Sequence, residues 1–209
     1  MKLRADKLRE YTPSPEEIAV IKRKPIYIIV DNVLDTYNVG AIFRLADAAA
    51  VAGVWLIGQT ATPDDPLIGH KIHKASIGIW RWIPWKHVAT VGKALEDIKL
   101  EITRPSTYEA GKSPRKRHTT ISRFGYFPFS NQKLNIIAVE QSPNSIPYTE
   151  AKYDFPLALI LGHETEGVSK EGLDLADAIV EIPMYGVNNS MNVMVSLAIV
   201  LWKVMEKST

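Results

Sequence analysis

Apolar positions fall in blocks along this chain, and the blocks have two periods. Residues 26–31 (Ile26-Tyr-Ile-Ile-Val-Asp31) are apolar at successive positions and rich in β-branched side chains, the pattern of a strand covered on both faces. An alanine-rich helix follows over 39–51, then a strand over 53–58. Residues 79–85 read as another strand, with Pro84 marking its end or an edge position. A short helix over 89–98 and strands over 134–140, 157–161 and 178–182 continue the alternation. The final block, 191–205, is apolar on nearly every side and predicts a helix buried all round. Helices between successive apolar strands predict an α/β fold, a mostly parallel sheet with helices on both faces.

Two segments interrupt this pattern. Residues 1–24 are polar and charged and read as an amino-terminal arm, partly helical over 15–21 and ending in the basic run Lys22-Arg23-Lys24. The main domain then spans 25–209. Within it, 104–133 reads as an insertion or long loop. It carries the basic residues Lys112, Arg115, Lys116 and Arg117, followed by Phe124, Tyr126, Phe127 and Phe129. Cations neutralise phosphates and exposed rings stack on unpaired bases, so both basic runs are candidate RNA contacts. The second run also reads as a solvated loop whose aromatics anchor it to the core.

Composition narrows the function classes. A chain of 209 residues makes one large domain, or one domain with an appendage. No apolar stretch is long enough to span a bilayer, and the start lacks the apolar core of a signal peptide. The chain has no cysteine, which excludes disulfides, thiolate zinc sites and a cysteine nucleophile, and fits a cytoplasmic location. A net charge of +2 is too small to imply a nucleic-acid partner, so any such case must come from local clustering.

Candidate chemistry gathers at strand ends, where open α/β sheets place ligands. Asn38 lies in a polar loop leaving the first strand, and Gly40 permits a close approach as the next helix begins. Arg44, one turn after Gly40, reads as lying near that helix amino terminus, where its guanidinium suits a phosphate. Taken alone it reads more readily as a surface cation paired with Asp47 or another acid. Gly162-His-Glu-Thr-Glu-Gly167 is neither a dinucleotide fingerprint nor a P-loop, and Gly167 stands where a zinc protease needs its second histidine. Its acids could bind a metal, act as an acid/base pair, or accept hydrogen bonds from ribose or from an arginine. Glu166 reads as exposed. His70 and His73 share a helix face without a third ligand nearby and read as surface histidines, so no metal is expected.

In order, three segments resemble the motifs of the SpoU/TrmH family of RNA ribose 2′-O-methyltransferases, in the SPOUT superfamily. They are Asn38-Val-Gly-Ala-Ile-Phe-Arg44, Leu161-Gly-His-Glu-Thr-Glu-Gly-Val-Ser169, and Ile182-Pro-Met-Tyr-Gly-Val-Asn-Asn-Ser-Met-Asn-Val193. Lys74-Ala-Ser-Ile-Gly78 is similar to a Lys-x-Ser-x-Gly step often found between the first two. The departures are His163, where Asn, Ser or Gln is more usual, and Met191, where Leu is common.

The resemblance implies a SPOUT-type domain with a carboxyl-terminal trefoil knot that holds S-adenosyl-L-methionine (SAM), mostly through backbone groups. It places Leu161, Gly162, Ile182, Met184 and Met191 around that cofactor. It makes Arg44 the catalytic residue, positioned by the substrate phosphate near the reacting hydroxyl. Asn38 would orient Arg44 or the ribose, and Glu164 would hold Arg44 or backbone amides. Ser190 and Asn192 would shape the knot loop and contact substrate or cofactor. The family also implies a homodimer through the last helix. Twenty-four residues before the first strand leave no room for a separate RNA-binding domain, which favours tRNA over rRNA. The rival from another class is a SPOUT-like protein that binds RNA without catalysis.

Overall fold

The computed structural model describes residues 2–103 and 132–206. Among these, the strands are β1 (Lys24–Asp31), β2 (Val51–Ile57), β3 (Trp85–Val88), β4 (Asn135–Val139), β5 (Ile146–Pro147), β6 (Leu157–Leu161) and β7 (Ala178–Glu181). They form one sheet in the order β3-β2-β1-β6-β4-β7-β5, with every pairing parallel. This is the α/β architecture that the alternation of blocks predicts.

β1 shows why its sequence is apolar at every position from Ile26 to Val30. Ile28 sits opposite Val54 of β2 on one side and Leu159 of β6 on the other. Ile26, Ile28 and Val30 face one layer, with α3 (Thr36–Ala48), α4 (Gly69–Ala75) and α7 (Val193–Glu206). Tyr27 and Ile29 face the opposite layer, with α5 (Val91–Thr103) and, partly buried, α6 (Lys170–Leu175). Burying a side chain of this size contributes about 1.5–3 kcal/mol, so a polar residue between Ile26 and Val30 would open one layer or the other.

Local chemistry sets the boundaries. α3 starts at Thr36, before Val39, because the Asp35 carboxylate accepts the Tyr37 N–H at 2.7 Å and caps the helix. It ends before Ala50, which has φ 50° and turns the chain straight into β2. The strand expected over 79–85 is a correction. Gly78, at φ 83°, starts a 3₁₀ turn over Ile79–Arg81, and pairing with β2 begins only when Val54 N–H donates to the Pro84 carbonyl. Pro84 thus precedes an edge strand and does not end one.

The amino-terminal arm comprises α1 (Ala5–Glu10) and α2 (Pro15–Ala19), the latter opened by a reciprocal capping box between Ser14 and Glu17. The arm lies on the 3₁₀ turn: Tyr11 stacks on Trp82 at 5.9 Å between ring centroids, and Arg81 donates to the Arg9 carbonyl at 3.3 Å. α7 corrects the expectation of a helix buried all round. It buries Val193, Leu197, Val200, Leu201 and Val204, while Val195 and Trp202 are exposed. Among the described residues, no helix is long and apolar enough to cross a membrane.

Candidate functional site

Three loops leave the carboxyl ends of β1, β6 and β7 and meet at one side chain. Asn38, nearly buried in the first turn of α3, donates through Nδ2 to Glu164 Oε1 at 3.0 Å and accepts from Asn192 Nδ2 at 3.0 Å. Residues 126 and 154 positions apart in the chain thereby become one hydrogen-bonded row. Glu164 also accepts the backbone N–H groups of Leu34 at 3.3 Å and Asp35 at 3.2 Å. Asn192 caps α7, its Oδ1 accepting Met194 N–H at 2.9 Å. Glu164 therefore holds Asn38 and backbone amides, one of the two roles open to it.

Partial burial pushes the Glu164 carboxyl up, but the bonds from Asn38 and the loop amides outweigh this and hold it below its ordinary 4.5. A carboxylate depressed on folding contributes stability above its unfolded pKa, and that contribution is lost as pH falls through the folded value. We expect Glu164→Gln to lower stability by about 1 kcal/mol at pH 7, small because the site is exposed. Urea denaturation should show the gap from wild type shrinking below about pH 4.5. A gap of constant size down to pH 3 would mean that the charge does not matter.

Arg44 is not part of this row. It stands eight residues beyond Thr36, about 12 Å along the helix axis, so the expected help from the helix amino terminus does not apply. It is exposed and has no hydrogen-bond or ion-pair partner among the described residues, Asp47 included. Gly40 does permit a close approach, though inside the helix and not at its start. A Cβ there would lie 2.5 Å from Ala75 Cβ and 3.0 Å from the Ile72 carbonyl of α4.

The acidic turn after β6 is fastened from several sides. His163 and Gly167 exchange backbone hydrogen bonds at 2.9 and 3.0 Å, and His163 Nδ1 accepts the Thr165 and Glu166 N–H groups at 3.0 and 3.2 Å. An imidazole thus does the turn-closing work open to Asn, Ser or Gln at this position. Two carboxylates not singled out from the sequence complete the fastening. Asp31, buried at the end of β1, accepts Ser169 N–H at 2.9 Å, and Glu140, just after β4, accepts Val168 N–H at 2.8 Å. Their signal was positional: an acid immediately at or after a buried strand. Glu166 itself is exposed.

Beside this junction, beyond β4 and β7, lies a cavity of about 300 Å³. Ile182, Pro183, Met184 and Val187 give it apolar walls, and Gln141 and Asn188 supply polar groups. Ile182 and Met184 line it. Leu161, Gly162 and Met191 are not among its lining residues; Leu161 is buried in the sheet and Met191 is half-buried ahead of α7. Ser190 is exposed and turned onto Asn188, which accepts its N–H at 3.1 Å, so it does not join the Asn38 row.

The basic residues divide. Lys22 is exposed. Arg23 is a correction: it is 9% exposed, and its guanidinium donates to the Val51 carbonyl at 3.2 Å and the Trp82 carbonyl at 2.5 Å. Burial pulls its pKa down to about 10, with Asp47 opposing, and leaves it a structural cation. Lys24 is half-buried at the start of β1. Lys112, Arg115, Lys116 and Arg117 lie outside the described residues. His70 is exposed, whereas His73 is half-buried and accepts from Trp80 Nε1 at 3.2 Å. Burial, and then the Arg81 charge, lower the His73 pKa.

Comparison with known proteins places this geometry. The model of the SpoU rRNA methylase family matches residues 25–124 and 116–202. A tRNA (guanosine(18)-2′-O)-methyltransferase of Aquifex aeolicus is 27% identical over 187 residues, 90% of this chain and 72% of the relative. Its namesake in Escherichia coli K12 is 26% identical over 186 residues, 87% of this chain and 64% of the relative. The chain spans 58% to 72% of the length of such curated relatives. Among solved structures, the SpoU methyltransferase AviRb of Streptomyces viridochromogenes, in complex with AdoMet, superposes with TM-score 0.68 at 19% identity, covering 91% of this chain and 63% of its own. The Aquifex aeolicus TrmH/SpoU tRNA modifying enzyme gives TM-score 0.65 at 24% identity, with 97% and 81% covered. These structural likenesses establish the fold.

Proposed function

The chain belongs to the SpoU methylase family, and from that premise we propose that it is a SAM-dependent methyltransferase acting on a ribose 2′-hydroxyl of structured RNA. The observation that carries the reading is the Glu164–Asn38–Asn192 row, which joins all three motifs at the start of the helix that carries Arg44. An RNA-binding module without catalysis has no need of that junction. We propose tRNA over rRNA, supported by the two tRNA-directed relatives at 26–27% identity.

The cavity beyond β7 suits the cofactor. Ile182, Met184 and Val187 offer apolar surface to an adenine ring, Gln141 and Asn188 offer hydrogen bonds, and Gly186 leaves open space in front of its backbone. Leu161 and Gly162 stand at the end of β6, on the same rim of the sheet. SAM bound there supplies an electrophilic methyl group. What the protein must add is alignment of a weak nucleophile and an outlet for its proton. Arg44 grips the phosphate next to the target ribose and so fixes the 2′-hydroxyl, a role that suits a group charged throughout the working pH range. Asn38 and Glu164 fix the start of the helix that carries Arg44, and Asn192 ties that helix to the cofactor loop.

Two further parts of the reading follow. The bond from Asn192 to Asn38 returns the start of α7 to α3, and we propose the carboxyl-terminal trefoil knot on the strength of the family. The exposed apolar side chains of α7, Val195 and Trp202, support a homodimer through that helix. Thermal-shift measurements with SAM, its demethylated product, ATP and NAD test the cofactor. Native-state ligands raise apparent stability, by about 2.7 kcal/mol at one hundred times Kd. Stabilisation by SAM and its product is the expected result. Stabilisation by ATP or NAD alone would overturn the reading.

A further inference from the structure

The outer face of α4 carries His70, Lys71 and Lys74 at helical spacing, all exposed, while Gly69, Ile72 and Ser76 are buried. Lys71 and Lys74 have no ion-pair partner among the described residues. Of the seven described lysines from residue 86 onward, six are ion-paired: Lys86, Lys93, Lys133, Lys152, Lys170 and Lys203. The acids nearest α4 in sequence are turned into their own loop. Asp64 accepts from Thr62 Oγ1 at 2.6 Å, and Asp65 accepts the Leu67 and Ile68 N–H groups at 2.8 and 3.0 Å. The face therefore presents two exposed lysines that no described carboxylate pairs with.

Structure accounts for two members of the Lys74-Ala-Ser-Ile-Gly78 step and leaves the third. Ser76 is fully buried and donates to the His73 carbonyl at 3.3 Å, closing the helix. Gly78 adopts φ 83°, where a Cβ would strike the Leu8 carbonyl of the arm. Lys74 is exposed, with no hydrogen-bond or ion-pair partner among the described residues. α4 is also locked to the helix that bears Arg44, since at Gly40 the two helices touch. Arg44 leaves α3 from that same side, one turn further on.

We propose that the outer face of α4 is a phosphate-binding ridge, with Lys71 and Lys74 gripping the RNA backbone beside the nucleotide that Arg44 holds. The assignment rests on the methyltransferase reading above. Two cations on a short helix held rigidly against α3 extend the grip of Arg44 along the strand, fixing register without reading bases.

The test is binding of bulk tRNA to the full chain across a salt series, for wild type, K71Q/K74Q and the control K93Q/K170Q, which removes two paired lysines. Each lost phosphate contact should flatten the slope of log affinity against log salt by about 0.7, so K71Q/K74Q should lose about 1.4 and bind roughly tenfold more weakly at low salt. Its KM for RNA should rise, with SAM affinity and melting temperature as in wild type, and the control should match wild type. If the double variant melts early, the single variants K71Q and K74Q should each lose about half of the slope change. Wild-type slope and affinity in these variants, with wild type methylating RNA, would overturn the ridge and leave the enzyme reading standing. Wild type that methylates no RNA would overturn both.

Discussion

Arg44→Ala is expected to cut methyl transfer at least about 100-fold while leaving the fold and SAM affinity unchanged. The side chain is exposed and has no hydrogen-bond or ion-pair partner among the described residues, so its removal strands no polar partner. It also stands apart from the cavity lined by Ile182 and Met184. An unpartnered cation that stabilises nothing is readily explained by a ligand, and a misplaced nucleophile costs rate even when binding survives. Single-turnover kinetics with saturating SAM separate the chemical step from binding. Wild-type turnover in the purified variant would show that Arg44 is an ordinary surface residue.

Gly162→Val is expected to destabilise the protein by about 3 kcal/mol or more, equivalent to a fall of roughly 6–12 °C in melting temperature. A Cβ at Gly162 would fall onto the backbone of Gly167 and Val168, where the turn closes on itself through the His163–Gly167 pair. Backbone held by hydrogen bonds on both sides, including Val168 N–H to Glu140, cannot yield as a side chain can. At Gly162 the chain itself occupies the space a side chain would need. A melting temperature within 2 °C of wild type, a tolerance of roughly 1 kcal/mol, would show that the turn opens easily.

How much of this was legible in sequence depended on the range of the interaction. β1 was clear because burial on both faces leaves no polar position between Ile26 and Val30, and that pattern survives whatever the partners are. Residues 79–85 were misread because alternating Trp and Ile suit a strand, while the deciding feature, a left-handed Gly78 pressed on Leu8, depends on an arm 70 residues earlier. Arg23 looked like the centre of a basic run, yet its partners are carbonyls of Val51 and Trp82, which no local pattern announces. α7 was apolar all round in sequence but buries one face in a single chain, with Val195 and Trp202 exposed. At the site, residue types were readable and their pairing was not. Asn38, Glu164 and Asn192 stood out by motif, but only the sheet order, with β6 beside β1, brings Glu164 against the loop after β1. Asp31 and Glu140 were missed because their roles are to hold backbone amides of a distant turn.

Incubating the purified chain with methyl-labelled SAM and unmodified tRNA or rRNA, then digesting to nucleosides for mass spectrometry, tests the central claim most directly. The account predicts label in a 2′-O-methylnucleoside from tRNA, with the methyl group on the ribose fragment. Label on a base, or no label in either RNA from a chain that binds SAM, would contradict it.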